Sequence, residues 1–89
     1  MITTILSHEV KDYNTWKKVF DEDAPNRNKM GVKVTGLYKS VDNPKLISII
    51  CEVPSEKAIK DFMKNPDLKV AMEKGGVIGQ PEVKILDKI

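Results

Sequence analysis

The only histidine and the only tryptophan of the chain fall within its first 20 residues, at His8 and Trp16. A histidine side chain titrates near neutral pH, so it can give or take a proton in a reaction or hydrogen-bond to a ligand. His8 could do this at the mouth of a cavity, but a half-buried histidine that is hydrogen-bonded to a neighbour is the simpler interpretation. Asp12 follows four residues later, where its carboxylate could orient His8 and assist it in catalysis, although the same residue is well suited to cap a helix.

Three further side chains are candidates for contacting a ligand. The hydroxyl of Tyr13 could donate a hydrogen bond to a ligand oxygen, and the ring of Trp16 could line a pocket or pack in the core. The planar guanidinium of Arg27 suits a carboxylate, either on a ligand or in the acidic run 21–23. Cys51 is predicted to be a buried, inert thiol. One histidine and one cysteine fall short of the usual ligand set for a metal, so no metal and no cofactor is predicted.

Length and charge narrow the class of protein. A chain of 89 residues is expected to form a single domain over 1–89. The net charge is +2, the lysines are scattered, and Arg27 is the only arginine, whereas a nucleic-acid-binding protein usually has a basic face with several arginines. The sequence begins without a basic region followed by an apolar run, and no apolar stretch approaches the ~20 residues that span a bilayer. We therefore expect a cytoplasmic protein with neither nucleic acid nor a membrane as a partner.

Hydrophobic periodicity predicts the first half of the fold. Residues 2–10 alternate as a strand does, and residues 13–23 repeat as an amphipathic helix does, with Asp12 as its N-cap. The segment 25–31 is expected to be a connection that could contain a short helical turn. A second strand over 32–41 has polar residues on one face and a glycine that could mark a bulge or a close approach. These polar residues are Lys33, Thr35 and Lys39, and the glycine is Gly36.

The second half repeats the same plan. The segment 46–53 is apolar on both faces, which indicates a central strand. Ser55 and Asn65 are expected to cap two consecutive helices, and a loop over 77–81 leads to a last strand over 83–89. The order strand, helix, strand, strand, helix pair, strand is the split β-α-β pattern, so we predict an α+β, ferredoxin-like fold with a four-stranded antiparallel sheet and its helices on one face.

Such a fold leaves one face of the sheet open. Four strands at about 4.8 Å spacing and about 26 Å length give roughly 500 Å² of sheet, which approaches the largest apolar patch that a monomer normally exposes. If this open face were solvated, each strand should have one charged face, but the strands 2–10 and 46–53 have too few charged residues for that. We therefore predict a homodimer in which a second copy, related by two-fold symmetry, covers this face.

The element order, the chain length, the position of His8 near the end of the first strand and the run 12–22, DYNTWKKVFDE, resemble the dimeric α/β-barrel superfamily. This superfamily includes proteins similar to antibiotic-biosynthesis monooxygenases and to stress-responsive barrel proteins. The resemblance covers the whole chain and implies two facing sheets that enclose a mostly apolar cavity. It does not determine a reaction, because members of one fold carry out different chemistry.

Three functions are compatible with these observations, and they leave open whether the protein is an enzyme. The first is a dimer that binds an apolar small molecule, such as a polyketide-, quinone- or fatty-acyl-like compound, in a cavity lined by the sheet. The second is a cofactor-free monooxygenase or a cyclase/isomerase in which His8 moves a proton. The third is an interaction or regulatory module without a ligand. An RNA-recognition module is excluded by the lack of aromatic residues in 46–53, and a metal chaperone by the lack of a Cys-x-x-Cys motif.

Overall fold

A computed structural model describes residues 2–87 and 89. The elements are β1 (Ile2–Val10), α1 (Tyr13–Glu22), α2 (Ala24–Lys29), β2 (Lys33–Lys39), β3 (Leu46–Val53), α3 (Glu56–Lys64), α4 (Pro66–Lys74) and β4 (Val77–Asp87). The strands form one antiparallel sheet in the order β2-β3-β1-β4. The predicted ferredoxin-like arrangement is therefore confirmed, with β1 and β3 in the middle of the sheet.

Three helices begin with a side chain that satisfies a free backbone amide of the first turn. These hydrogen bonds run to the Asp12 carboxylate from the amide of Thr15 at 2.9 Å, to the Ser55 hydroxyl from the amide of Ala58 at 3.1 Å, and to the Asn65 side-chain oxygen from the amide of Asp67 at 2.8 Å. Each bond satisfies one of the donors that a helix leaves unpaired at its start. The capping residues predicted from the sequence are confirmed at all three positions.

The connection between α1 and β2 contains a six-residue helix, where the sequence suggested at most a short helical turn. α1 ends at Glu22, and α2 follows with Pro25 in its first turn, where the missing N–H of proline has no intrahelical partner to lose. Gly31 then adopts a φ of 77°, which favours glycine, and leads the chain into β2. This corner brings the side chain of Arg27 back towards α1.

A bulge interrupts β2 between Val34 and Gly36, where the register with β3 shifts by one residue. An extra residue in a strand reverses the face on which all later side chains lie. The predicted common face of Lys33, Thr35 and Lys39 is therefore wrong, because Lys33 precedes the bulge and Lys39 follows it. The suggestion that Gly36 marks an irregularity is confirmed.

β4 is longer than predicted. The sequence indicated a loop over 77–81 and a strand over 83–89, but the strand runs from Val77 to Asp87, and Lys88 lies outside the described residues. Gly79 and Pro81 suggested a loop. β4 lies at the edge of the sheet, where proline and glycine are tolerated, and its register with β1 shifts between Ser7 and Glu9.

The core lies between the helices and one face of the sheet. The sheet supplies alternate residues of β1 and β3, and the helices supply four large apolar side chains. The buried residues of the two strands are Thr4, His8, Val10, Ile47, Ile49, Cys51 and Val53, and those of the helices are Trp16, Ile59, Phe62 and Leu68. His8 thus lies on the face covered by helices.

Trp16 should be the side chain of α1 on which this core depends most. It is only 4% exposed, and it packs against both the sheet and Phe20. Trp16→Ala is expected to lower the free energy of unfolding by about 3–5 kcal/mol. Chemical denaturation followed by circular dichroism measures this loss. Tyr13→Ala on the same helix, where the ring is 36% exposed, should cost much less, and equal losses would contradict the assignment.

Candidate ligand-binding site

A small pocket of about 50 Å³ lies inside the chain, between the helices and the sheet. Its wall is almost entirely apolar, with aromatic rings from α1, aliphatic side chains from β3 and α4, and Cys51 at its sheet side. The resemblance implied a cavity between two facing sheets. The pocket that contains His8 is instead on the opposite side of the sheet and is built by one chain, because His8 points towards the helices.

His8 is the polar group buried most deeply in this wall. It is 5% exposed, and neither ring nitrogen has a hydrogen-bond partner within residues 2–87 and 89. Burial lowers the pKa of His8 below its ordinary value of 6.5, so the ring is neutral at neutral pH. A neutral imidazole has one N–H donor and one nitrogen acceptor, and leaving both unmet in an apolar environment is costly. The alternative of a histidine bonded to a protein neighbour is therefore not what the structure shows.

Trp16 fixes the position of the imidazole. The two rings meet edge to face, with centroids 5.6 Å apart and planes at 63°. Trp16 also stacks on Phe20, at 4.9 Å and 29°, so that the indole has an aromatic neighbour on either side. Such contacts are directional as well as apolar, and they hold all three rings in the wall of the pocket.

Arg27 closes the far end of this aromatic row. Its guanidinium lies 3.8 Å from the centre of the Phe20 ring, and its Nη1 donates a 2.7 Å hydrogen bond to the Phe20 carbonyl oxygen. The same nitrogen is 3.9 Å from the Asp23 carboxylate, so the local ion pair considered from the sequence is present. Burial lowers the pKa of Arg27, while the Asp23 charge opposes this shift. Because the two charges offset each other, the pocket suits a neutral ligand.

The structure brings together three of the five predicted site residues. His8, Trp16 and Arg27 line the pocket, whereas Tyr13 and Asp12 do not. Tyr13 is in the exposed first turn of α1, where the ammonium of a lysine, at position 39, lies 5.6 Å from its ring centre. Asp12 is exposed, and its pKa is lowered by hydrogen bonds from the side chain and the backbone of Thr15. Its observed contacts are those of a helix cap.

Several lining residues were not identified from the sequence. Phe20, Leu68 and Met72 form part of the wall, and Cys51 reaches it from β3. The i, i+4 spacing of Trp16 and Phe20, and of Leu68 and Met72, was the available signal, but it marks a buried helix face without distinguishing a pocket from a core. Cys51 is buried as predicted, and burial raises the pKa of its thiol.

Among residues 2–87 and 89, no three or more His, Cys, Asp or Glu side chains are grouped so that they could hold a metal ion. Over the same residues, none of the helices combines the length and the apolar character required to cross a membrane.

Comparisons with known proteins support the fold. No protein-family model matches the chain, and no curated protein matches it. Solved structures do match. A candidate antibiotic biosynthesis monooxygenase from Bordetella bronchiseptica has a TM-score of 0.82 at 17% identity, over 99% of this chain and 96% of that chain. A second such candidate, from Caulobacter crescentus CB15, has a TM-score of 0.76 at 20% identity, over 99% and 89%.

The same fold also occurs in an uncharacterized NIPSNAP domain protein from Burkholderia xenovorans, with a TM-score of 0.69 at 6% identity over 100% of this chain and 95% of that chain. The chain thus has the fold shared by antibiotic biosynthesis monooxygenases and NIPSNAP proteins, as the sequence resemblance implied. Identities this low establish the fold and leave the activity to be argued from the site.

The pH dependence of stability should report the burial of His8. Since the pKa of His8 is lower in the folded chain than the ordinary 6.5, the unfolded chain binds more protons between these two values. The contribution of His8 to stability is therefore fully present above pH 6.5, and it is lost as the pH falls through the folded-state pKa. One group gives a slope of at most about 1.4 kcal/mol per pH unit.

Chemical denaturation between pH 4 and pH 8 measures this slope. His8→Phe should remove it, while Thr4→Val should retain it. Thr4 is a fair control because its hydroxyl is buried on the same face of β1 and has only the weakly accepting Cys51 sulfur beside it, but it does not titrate. An undiminished slope in His8→Phe would show that other groups cause the pH dependence.

Proposed function

We propose that this protein binds a neutral, largely apolar small molecule in the pocket under its helices, with the ligand hydrogen-bonded to His8. The observation that carries the proposal is the buried imidazole whose two nitrogens have no partner in the described chain although the ring lines an apolar pocket. Ligand sites typically combine apolar walls with a few polar groups that set the orientation of the ligand. A hydroxyl or carbonyl group would meet one of the two nitrogens.

The charges in the pocket support the neutral character of this ligand. Asp23 and Arg27 are paired with each other, and the guanidinium is also hydrogen-bonded to the backbone. A carboxylate ligand would compete with Asp23 and would lie beside an imidazole that burial keeps uncharged. Among the compounds considered from the sequence, polyketide-, quinone- and fatty-acyl-like molecules all have neutral carbonyl or hydroxyl groups. The small pocket of about 50 Å³ has room for one end of such a molecule.

A second candidate function uses the same histidine as a catalyst. Solved structures with this fold include candidate antibiotic biosynthesis monooxygenases, which favours a cofactor-free monooxygenase or a cyclase/isomerase as the alternative. A neutral imidazole in an apolar pocket can accept a proton from a bound substrate. Asp12 gives this alternative little support, since its carboxylate is engaged by Thr15 outside the pocket. The catalytic role would therefore rest on His8 alone.

We also propose that two copies of the chain pair through the open face of the sheet. Ile5 and Ile50 are opposite each other on β1 and β3, and the adjacent Ser7 and Ser48 hydroxyls satisfy each other at 2.9 Å. Among the described residues, these four positions of β1 and β3 are therefore uncharged, and the two hydroxyls are satisfied. The ring of Tyr38 lies so close along β2 that a Cβ on Gly36 would be 2.6 Å from it, so the glycine allows the ring to lie flat against the strand. On β4, Lys84 and Glu82 lie opposite Ile5 and Ser7, so the charges are at the edge of this face while its middle is small or apolar. Such a face suits a second copy.

Binding can be tested with 1-butanol, a small neutral alcohol. Because the chain has one histidine and one tryptophan, the ring signals of His8 and the indole signal of Trp16 are each unique in an NMR spectrum. Both should shift and saturate as millimolar 1-butanol is added. His8→Phe should weaken binding roughly tenfold, the loss of about one hydrogen bond of 1.4 kcal/mol, whereas Thr4→Val should bind as the wild type does.

The same titration separates the alternatives. Signals that do not shift at any alcohol concentration would contradict a ligand pocket and would favour an interaction module. Native mass spectrometry of protein purified from cells provides an independent check, because a retained small molecule should be released from the wild type and be depleted in His8→Phe.

Pairing of two copies can be tested by sedimentation. The wild type should be a dimer at micromolar concentration, and Ile50→Lys should be a folded monomer because it places a charge at the centre of the open face. Val70→Lys is the matched control, since Val70 is an exposed apolar residue of α4. A wild-type chain that sediments as a folded monomer would contradict the proposal.

A further inference from the structure

A second space lies next to the pocket, on the other side of two side chains of α4. A groove of about 570 Å³ lies outside α4, between the helices α3 and α4 and the first part of β4. Its floor is apolar, with Met63, Val77 and Pro81 among its lining residues, and Lys64 and Lys69 are at its polar rim. Leu68 and Met72 line both the groove and the pocket. These two side chains, one helical turn apart, are therefore the partition between the two spaces.

The two halves of the partition differ in how easily they can move. Leu68 is 7% exposed and belongs to the buried core, whereas Met72 is partly buried and packs at the edge of that core. Methionine is unbranched, has three rotatable side-chain bonds and adapts to irregular spaces. The backbone of α4 is held at both ends, by the Asn65 cap and by the 2.9 Å hydrogen bond from the Gly75 amide to the Ala71 carbonyl. A rotation of the Met72 side chain is thus the smallest change that would join pocket and groove.

Resting on the proposed function, we propose that Met72 is a gate and that the complete binding site runs from His8, past α4, into the groove. The pocket of about 50 Å³ is well below the roughly 300–1,000 Å³ of typical ligand sites, whereas the joined space lies within that range. Opening the gate therefore converts a pocket that accepts one end of a molecule into a site that accepts all of it.

The shape of the passage determines the class of ligand. A rotated Met72 vacates the width of one unbranched side chain beside Leu68, which a straight hydrocarbon chain can occupy and a fused ring system cannot. The apolar side chains of Met63 and Val77 continue the path outside the helix, and the rim beyond them is polar. The ligand is accordingly an elongated, mostly saturated molecule with a hydroxyl or carbonyl group at the His8 end.

A series of straight-chain alcohols tests this site. Each added methylene that enters the passage contributes about 0.8 kcal/mol, roughly a fourfold gain in affinity. 1-Octanol, with four more methylenes, should therefore bind roughly 200-fold more tightly than 1-butanol. The compact 1-adamantanol should bind no more tightly than 1-butanol. Affinities are measured by calorimetry, and the His8 ring signal in the NMR spectrum reports whether each alcohol reaches the pocket.

Substitutions at the gate identify the path. Met72→Phe fills the passage with a rigid ring and should abolish most of the gain from 1-butanol to 1-octanol, while Met72→Ala opens it and should retain that gain. Val70→Ala is the control, because Val70 is on the same helix but lines neither the pocket nor the groove. Circular dichroism of each variant checks that it is folded. If Met72→Phe does not fold, Met72→Ala still tests whether the gain in affinity with chain length is retained when the passage is open.

The outcomes distinguish this inference from the function on which it rests. If 1-butanol binds at His8 but longer alcohols bind no more tightly, the elongated site is overturned and the ligand pocket stands. An undiminished chain-length gain in Met72→Phe, or tight binding of 1-adamantanol, would overturn the gate. If no alcohol perturbs His8, the proposed ligand pocket itself is overturned.

Discussion

The contact between His8 and Trp16 joins the fold of this protein to its site. β1 is a central strand, so its side chains alternate between a face covered by helices and a face that is open. His8 is on the covered face, where the edge of its ring meets Trp16 at a centroid distance of 5.6 Å. Any packing of α1 that buries Trp16 therefore also encloses the imidazole. The pocket is a consequence of how the helix packs on the sheet.

This arrangement places a polar group where an apolar one would be more stable. A phenylalanine at position 8 would keep the aromatic contact and would have no ring nitrogens that lack a partner among the described residues, so stability does not account for the histidine. Natural proteins tend to depart from the most stable local choice at functional sites. The same reasoning does not apply to Arg27, whose guanidinium is matched by the Phe20 carbonyl oxygen and by Asp23. The unmet polar atoms of His8 therefore carry more functional information than the charged pair does.

Much of the fold could be predicted from the sequence because its signals are local. The caps at Asp12, Ser55 and Asn65 and the change of period after β1 depend on a few neighbouring residues each. Gly36 suggested an irregularity in β2, but the change of face that follows the bulge and the length of β4 could not be predicted, since both depend on pairing with another strand. An extra residue in β2 is visible only against the register of β3. The glycine and proline in β4 are acceptable only because that strand is at the edge.

The candidate site was only partly predictable, for a different reason. Alternation in β1 separates two sets of residues without showing which set the helices cover, because both sets mix apolar and small polar side chains. Nearness in sequence to His8 was also misleading for Tyr13, which occupies the exposed first turn of α1, while the more distant Phe20 and Met72 line the pocket. Spacing along a helix identifies its buried face, but a pocket forms only where two such faces fail to fill the space between them.

The two faces of β1 keep the two proposed interactions apart. Ser7 and His8 are adjacent, so their side chains point to opposite sides of the sheet. A second copy against Ser7 and Ser48 would cover the open face without contacting the helices, and α4 with Met72 would stay accessible to a ligand. Pairing and ligand entry therefore do not compete for surface. Both proposed interactions depend on β1, whose side chains alternately face a second copy on one side of the sheet and line the pocket on the other.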